Sequence, residues 1–295
     1  MNHKFKVAVV QHDCNQDYQH NLDNSITGIQ EACTQGAEIV LLPELNCLPY
    51  FCVREEVRNF DLAETIPGPS TESLGKIAKE NHIVLITTLF EKRAKGLYHN
   101  TAVVMDKDGR LAGTYRKMHI PDDPGFHEKF YFTPGDQGFV PINTSIGKLG
   151  VLVCWDQWFP EAARLMALAG AEMLFYPSAI GWDPDDDEAE KVRQRNAWMT
   201  IQRSHAIANN LPVISSNRIG IEANPADNSK GTVFWGSSFI AGQQGEVLAE
   251  APVDKSAAIM SEIDTGRTDT VRRIWPYFRD RRIDAYQDIS KRHIE

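Results

Sequence analysis

Short apolar runs alternate with longer amphipathic stretches along almost the whole chain. The runs "KVAVVQ", "AEIVLLPE", "HIVLITTLFE", "NTAVVMD", "KLGVLVCW", "AEMLFYPS", "LPVISSN", "VFWGSSFIA" and "SAAIMSEI" have the length and β-branched or aromatic content of strands. Between them, 18–35, 71–81, 160–170 and 188–210 read as helices, and four strand runs directly follow a helical stretch. Near-continuous apolar strands separated by helices predict an α/β fold with largely buried strands. The stretch "MDKDGRLAGTYRK" departs from that pattern, because Asp108 and Gly109 between two strand-like runs signal a hairpin. A mixed sheet is therefore expected.

Length adds that 295 residues suffice for one large domain or two ordinary ones. No Ser/Gly or Pro-rich linker divides the chain, so one domain over 1–270 is expected. The tail over 271–295 carries Trp275, Tyr277 and Phe278 on a basic stretch, which predicts that it packs on its own domain or on a neighbouring subunit. A net charge of -9, from 31 basic and 40 acidic residues, lacks the basic surface that phosphates require and excludes nucleic acid as a partner. The same field suits a cationic small molecule. No run of 18 apolar residues exists and the start lacks a signal-peptide core, so no membrane association and a cytoplasmic location are expected. Five cysteines, an odd number in a chain that needs no staples, fit a reducing compartment with at least one free thiol.

Several motifs fail on counting. In "GPSTESLGKI" six residues rather than four separate Gly68 from Gly75, and Ile77 stands where a phosphate loop needs Ser or Thr. No G-x-G-x-x-G opens a helix. "HEKFY" lacks the second histidine of a zinc-protease helix, and Cys47 and Cys52 lack a second ligand pair, so no metal is expected.

What remains is one recurring layout: "IVLLPE" delivers Glu44, "GTYRK" delivers Lys117 and "VLVC" delivers Cys154, each at or just past the carboxyl end of a strand run. In open α/β sheets that is where ligand and catalytic groups gather. A nucleophilic thiol needs a base, a cation or a helix N-terminus to ionise it. Glu44 can serve as base, Lys117 can stabilise negative charge, and the helix opening near Pro160 adds its dipole. The backbone N–H of Trp155, next to the thiol, is placed like an oxyanion donor at a strand-to-helix elbow. Each residue alone has a simpler use, Cys154 as a packing thiol, Glu44 as a helix N-terminal charge and Lys117 as a surface cation. Only the set favours chemistry.

The blocks "LLPELNCLPYFC", "YRKMHIPDDPGFHEKFYFTPGD" and "VCWDQWFPEAARLMALAGAEMLFYPSAIG" resemble the catalytic blocks of the nitrilase, or carbon–nitrogen hydrolase, superfamily. The likeness continues through "NLPVISSNRIG", "WGSSFIAGQQGEVL" and "FRDRRIDAY". It implies a four-layer αββα sandwich with mixed β-sheets and a Glu–Lys–Cys triad falling on Glu44, Lys117 and Cys154. It also implies a second glutamate at Glu128, an oxyanion site of Lys117 and the Trp155 N–H, no cofactor, and subunits that pair as a homo-oligomer. The phrases "PYFC" and "CWDQWFPEAAR" match the branch acting on cationic ureido compounds. A substrate ending in an ammonium calls for acidic groups beside apolar walls, for which Asp122, Asp123, Asp156 and Tyr131 are candidates. Asp156 has helix capping as its other use. The likeness adds Ser178 and Ala179 at the substrate mouth. In the acidic run that follows, Asp185, Asp186 and Asp187 read as a solvated loop, while Asp183 is open between the two roles.

Overall fold

The structure, a computed structural model, describes residues 4–222 and 231–295. The first half supplies β1 (Lys4–Gln11), α1 (Tyr18–Thr34), β2 (Ile39–Leu41), α2 (Pro69–Asn81), β3 (Val84–Ala94), β4 (Leu97–Met105) and β5 (Leu111–Arg116). The second supplies β6 (Ile142–Thr144), β7 (Gly147–Val151), α3 (Pro160–Leu168), β8 (Met173–Pro177), β9 (Gly181–Trp182), α4 (Glu188–Asn209) and β10 (Val213–Ser216). It closes with β11 (Ile219–Glu222), β12 (Thr232–Trp235), β13 (Phe239–Ala241), β14 (Val247–Glu250), β15 (Ala257–Asp264) and α5 (Thr265–Ile274).

Two six-stranded sheets form, in the orders β15-β1-β2-β3-β4-β5 and β14-β13-β10-β8-β7-β6. Each holds three parallel strands, β1-β2-β3 and β10-β8-β7, flanked by antiparallel ones, so both sheets are mixed. Alternation along the strands sorts the layers. Val7, Val9, Ile39, Leu41, Val84 and Ile86 enter the core between the sheets, while Ala8, Val10, Val40, Leu42 and Leu85 face the outer layer with α1 and α2. Gly28 of α1 lets that helix seat on β1, since a Cβ there would lie 2.3 Å from Val10. With α3 and α4 covering the second sheet, the result is an αββα sandwich of α/β class. The hairpin at Asp108 and Gly109 joins β4 to β5, with Gly109 at φ +79°.

A small third sheet, β11-β12-β9, ties the chain after β8 to the chain after β10. At the C-terminus, Phe278 lies under the guanidinium groups of Arg164 and Arg272, 5.1 and 5.0 Å away, which holds the tail beside α3. No helix among the described residues is long and apolar enough to cross a membrane.

Candidate active site

Three strand ends from two sheets supply the central side chains. Past β2, Leu42 still bonds to Ile86, and the chain then turns so that Glu44 donates its N–H to Ser178 O of the other half at 3.2 Å. Lys117 follows β5 directly, its N–H bonded to Asn100 O at 2.8 Å. Past β7, the chain makes a 3-10 turn over Cys154–Trp158 before α3 begins. Cys154 starts that turn at φ +42°, a left-handed conformation costing a non-glycine residue on the order of 1–3 kcal/mol. Asp156 steadies the turn by accepting the Val153 N–H at 2.9 Å.

Lys117 is fully buried, with its Nζ 2.8 Å from Glu44 Oε1 and 2.7 Å from Glu128 Oε2. Asn100 donates to the same Glu44 oxygen at 2.7 Å, and the Tyr50 hydroxyl donates to the other Glu128 oxygen at 2.8 Å. Glu44 Oε2 is buried with no hydrogen-bond partner among the described residues. Glu44 is thus anchored through one oxygen and keeps the other free to take a proton.

Burial acts first on every group here. It pushes the Cys154 thiol well above its ordinary value, the charge of Glu44 adds to the push, and Lys117 opposes it. The thiol therefore keeps its proton at neutral pH, and attack requires a base. Burial opposes charge on Lys117, yet Glu128 and Glu44 outweigh it and hold the ammonium well above its usual range. Burial also pushes Glu128 up to about 7, with Lys117 pulling the other way. A protonated thiol, an anchored carboxylate and a permanent cation make a set able to move one proton and stabilise one oxyanion.

Cys154, Trp155 and Glu128 line a cavity of about 430 Å³ walled by Phe126, Trp158 and Trp235, with Asp123, Asp183 and Asp186 also in its lining. The described lining residues include four carboxylates and neither lysine nor arginine. The thiol sits 3.8 Å from the Ala179 carbonyl. The N–H of Trp155, near the start of the turn, has no acceptor inside the turn.

Of the expected substrate contacts, Asp123 and Ala179 line this cavity and the other four do not. Asp156 has no exposure, and its carboxylate is consumed by Tyr115 OH, His119 and the Val153 N–H. The Tyr131 hydroxyl donates to Arg54 O at 2.6 Å and accepts from Glu56 and Asn59, while its ring packs on Phe51 and Phe60. Asp122 is half exposed beside His127, and the Ser178 hydroxyl donates to Gln157. The solvated-loop expectation fails for Asp186, which lines the cavity and accepts from Gln194 Nε2 at 3.1 Å, whereas Asp187 caps α4. Asp183 lines the cavity as well. Sequence reasoning missed Asn100 and Tyr50. The one hint for Asn100 is an amide at the head of an apolar strand.

Residues 6–273 match the profile of the carbon–nitrogen hydrolases. An N-carbamoylputrescine amidase of Solanum lycopersicum is 41% identical over 95% of this chain and 93% of its own length. A citrullinase of Francisella tularensis is 42% identical over 98% of this chain and 99% of its own. The crystal structure of a carbon–nitrogen hydrolase from Helicobacter pylori superposes with a TM-score of 0.96 at 52% identity, covering 99% of this chain and 100% of that one.

Proposed function

This chain belongs to the carbon–nitrogen hydrolase family, and we propose from that premise that it hydrolyses N-carbamoylputrescine to putrescine, ammonia and carbon dioxide. The observation that carries the substrate choice is the wholly acidic charge of the described cavity lining.

In this reading Glu44 Oε2 takes the thiol proton as Cys154 sulfur attacks the ureido carbon. The oxyanion that forms is held by Lys117 and the Trp155 N–H, an interaction for which one donor is worth ~10²–10³ in rate. Glu44 then protonates the departing nitrogen, leaving a carbonyl–sulfur thioester. Glu44 next takes a proton from water as that water attacks the thioester carbon and returns it as sulfur leaves as thiol; the carbamic acid released splits into carbon dioxide and the remaining amine. One water is consumed for each substrate, and no redox step occurs. Glu128 and Asn100 keep the lysine and the base aligned.

The far ammonium of the substrate lies against Asp186 and Asp183, with Trp158 and Phe126 beside the methylenes. Gln194 orients Asp186, so that carboxylate is preset rather than recruited. A second reading is citrulline, favoured by the Francisella citrullinase. Its α-carboxylate calls for a cation, and the described lining offers none. Ammonia release from N-carbamoylputrescine, citrulline, N-carbamoyl-β-alanine and butylurea separates these readings. The diamine derivative is expected to show the highest kcat/KM. Asp186→Asn is expected to raise its KM by roughly tenfold, for loss of a charge-assisted bond of about 1.5 kcal/mol, while leaving butylurea unchanged. Preference for citrulline, or equal effects on both substrates, would overturn the assignment.

The exposed Leu165, Leu168 and Ile207 on α3 and α4 lie on the elements that carry the tail, where Ile274 and Trp275 are exposed too. A second copy of this chain covers this face in our reading. Light scattering after size exclusion should then give a multiple of 33.2 kDa, and Leu168→Glu should lower it. A wild-type mass of a single chain would refute the pairing.

A further inference from the structure

Arg218, between β10 and β11, is a charged side chain with no solvent exposure. A buried guanidinium is costly unless most of its donors are engaged; both Nη groups of Arg218 are, while its Nε has no partner among the described residues, so the Nη partners reveal its use. Its Nη2 donates to the backbone carbonyls of Glu44 at 2.7 Å, Leu45 at 3.0 Å and Leu48 at 3.3 Å. Its Nη1 donates to one oxygen of Glu222 at 2.5 Å, and the other oxygen of Glu222 accepts the backbone N–H of Tyr50 at 2.5 Å. A single ion pair therefore grips the 44–50 loop at both ends. One end is the residue with the free carboxylate oxygen; the other is the tyrosine whose hydroxyl holds Glu128. The loop needs such a grip, because Leu45 is left-handed at φ +51° and the loop's carbonyls have left the β2 ladder.

We propose that Arg218 and Glu222 are positioning residues that set the Glu44 carboxylate for proton transfer with Cys154. The proposal rests on the reading of Glu44 as the base. Neither residue lines the cavity, so the pair acts on the base and leaves substrate binding alone. Both come from the second half of the chain, whereas Glu44 comes from the first. They share the small sheet with β9, whose Gly181 is part of the cavity lining.

The test uses Glu222→Gln and Arg218→Lys in the full chain. Glutamine keeps the size of Glu222 but turns one acceptor into a donor, so either Arg218 or the Tyr50 N–H loses its partner. Lysine keeps the charge of Arg218 but has no planar fork to reach several carbonyls. Three quantities are read on folded protein: kcat, KM, and the rate of Cys154 alkylation by iodoacetamide followed by peptide mass mapping. The expected result is a fall of about tenfold to a hundredfold in both kcat and alkylation rate, with KM within about twofold of wild type. If either folded variant keeps wild-type kcat and alkylation rate, the pair is merely structural, whatever happens to Tm, and the proposal is overturned. A rise in KM at unchanged kcat overturns it too. The alkylation arm needs no substrate. A wild-type protein inactive on N-carbamoylputrescine would therefore refute the substrate assignment while the alkylation rates still decide on the clamp.

Discussion

Cys154→Ala is expected to leave the fold in place and to lower hydrolysis by at least about 10⁴-fold, as loss of a covalent nucleophile does elsewhere. The structural cost is small because one sulfur is removed from a site where its one hydrogen bond among the described residues is a 3.8 Å approach to the Ala179 carbonyl. Alanine inherits the same left-handed backbone, so no strain is added or relieved at that position. A loss of about 1 kcal/mol in stability is expected for the vacated volume. Activity falls because the oxyanion groups and the cavity remain but no thioester can form. Ammonia release alongside a thermal melt separates the two effects. Turnover within tenfold of wild type would show that another group attacks the ureido carbon.

The legibility of the chain follows from what local pattern encodes. Helices expected over 18–35, 160–170 and 188–210 occur at Tyr18–Thr34, Pro160–Leu168 and Glu188–Asn209, since amphipathic spacing and end signals are local. The alternation within "KVAVVQ" encodes its two faces, but not which sheet receives the strand. Pairing of β1 with β15, more than 240 residues away, has no local signature. The same division runs through the site. Glu44, Lys117 and Cys154 stand out because each ends a strand run, and the structure brings Lys117 to both Glu44 and Glu128. Asp156, open in the sequence between capping its turn and touching substrate, and Asp186, read there as solvated, part company for a physical reason. A carboxylate can face either a cavity or its own turn, and Asp156 is claimed by a neighbouring N–H, Tyr115 and His119. Asp186 looked solvated because it sits in an acidic run. Its neighbour Gln194, one turn or more into α4, is what turns it to the cavity lining. The Arg218 clamp was invisible for a related reason, as it works on backbone carbonyls that sequence does not mark.

Lys117→Met is expected to be the most damaging single change to stability as well as to turnover. It removes the cation shared by two carboxylates that have no solvent exposure, leaving Glu44 with Asn100 and Glu128 with Tyr50 as donors. Breaking a buried pair from one side costs about 3–5 kcal/mol. In a chain of this length that corresponds to a Tm lower by roughly 5–10 °C. With Lys117 in the oxyanion role proposed above, turnover is expected to fall by about 10³-fold for loss of a donor that carries full charge. The pH dependence identifies the cause. Burial already raises Glu128 to about 7 in the folded wild type, and removing Lys117 takes away the group that pulls it down. Both folded proteins hold more protons than the unfolded chain between the ordinary carboxylate range and about 7, but only the variant continues to do so above that value, which opens a window there. Stability therefore falls as pH rises through the window and recovers as pH is lowered. Melts from pH 5 to pH 8 should show the gap between variant and wild type narrowing toward pH 5. A second change, Glu128→Gln on the Lys117→Met background, should restore part of the lost Tm at pH 8 by removing one uncompensated charge, yet restore no turnover. A gap that does not change with pH would mean that lost packing around the lysine stem, rather than stranded carboxylates, accounts for the damage.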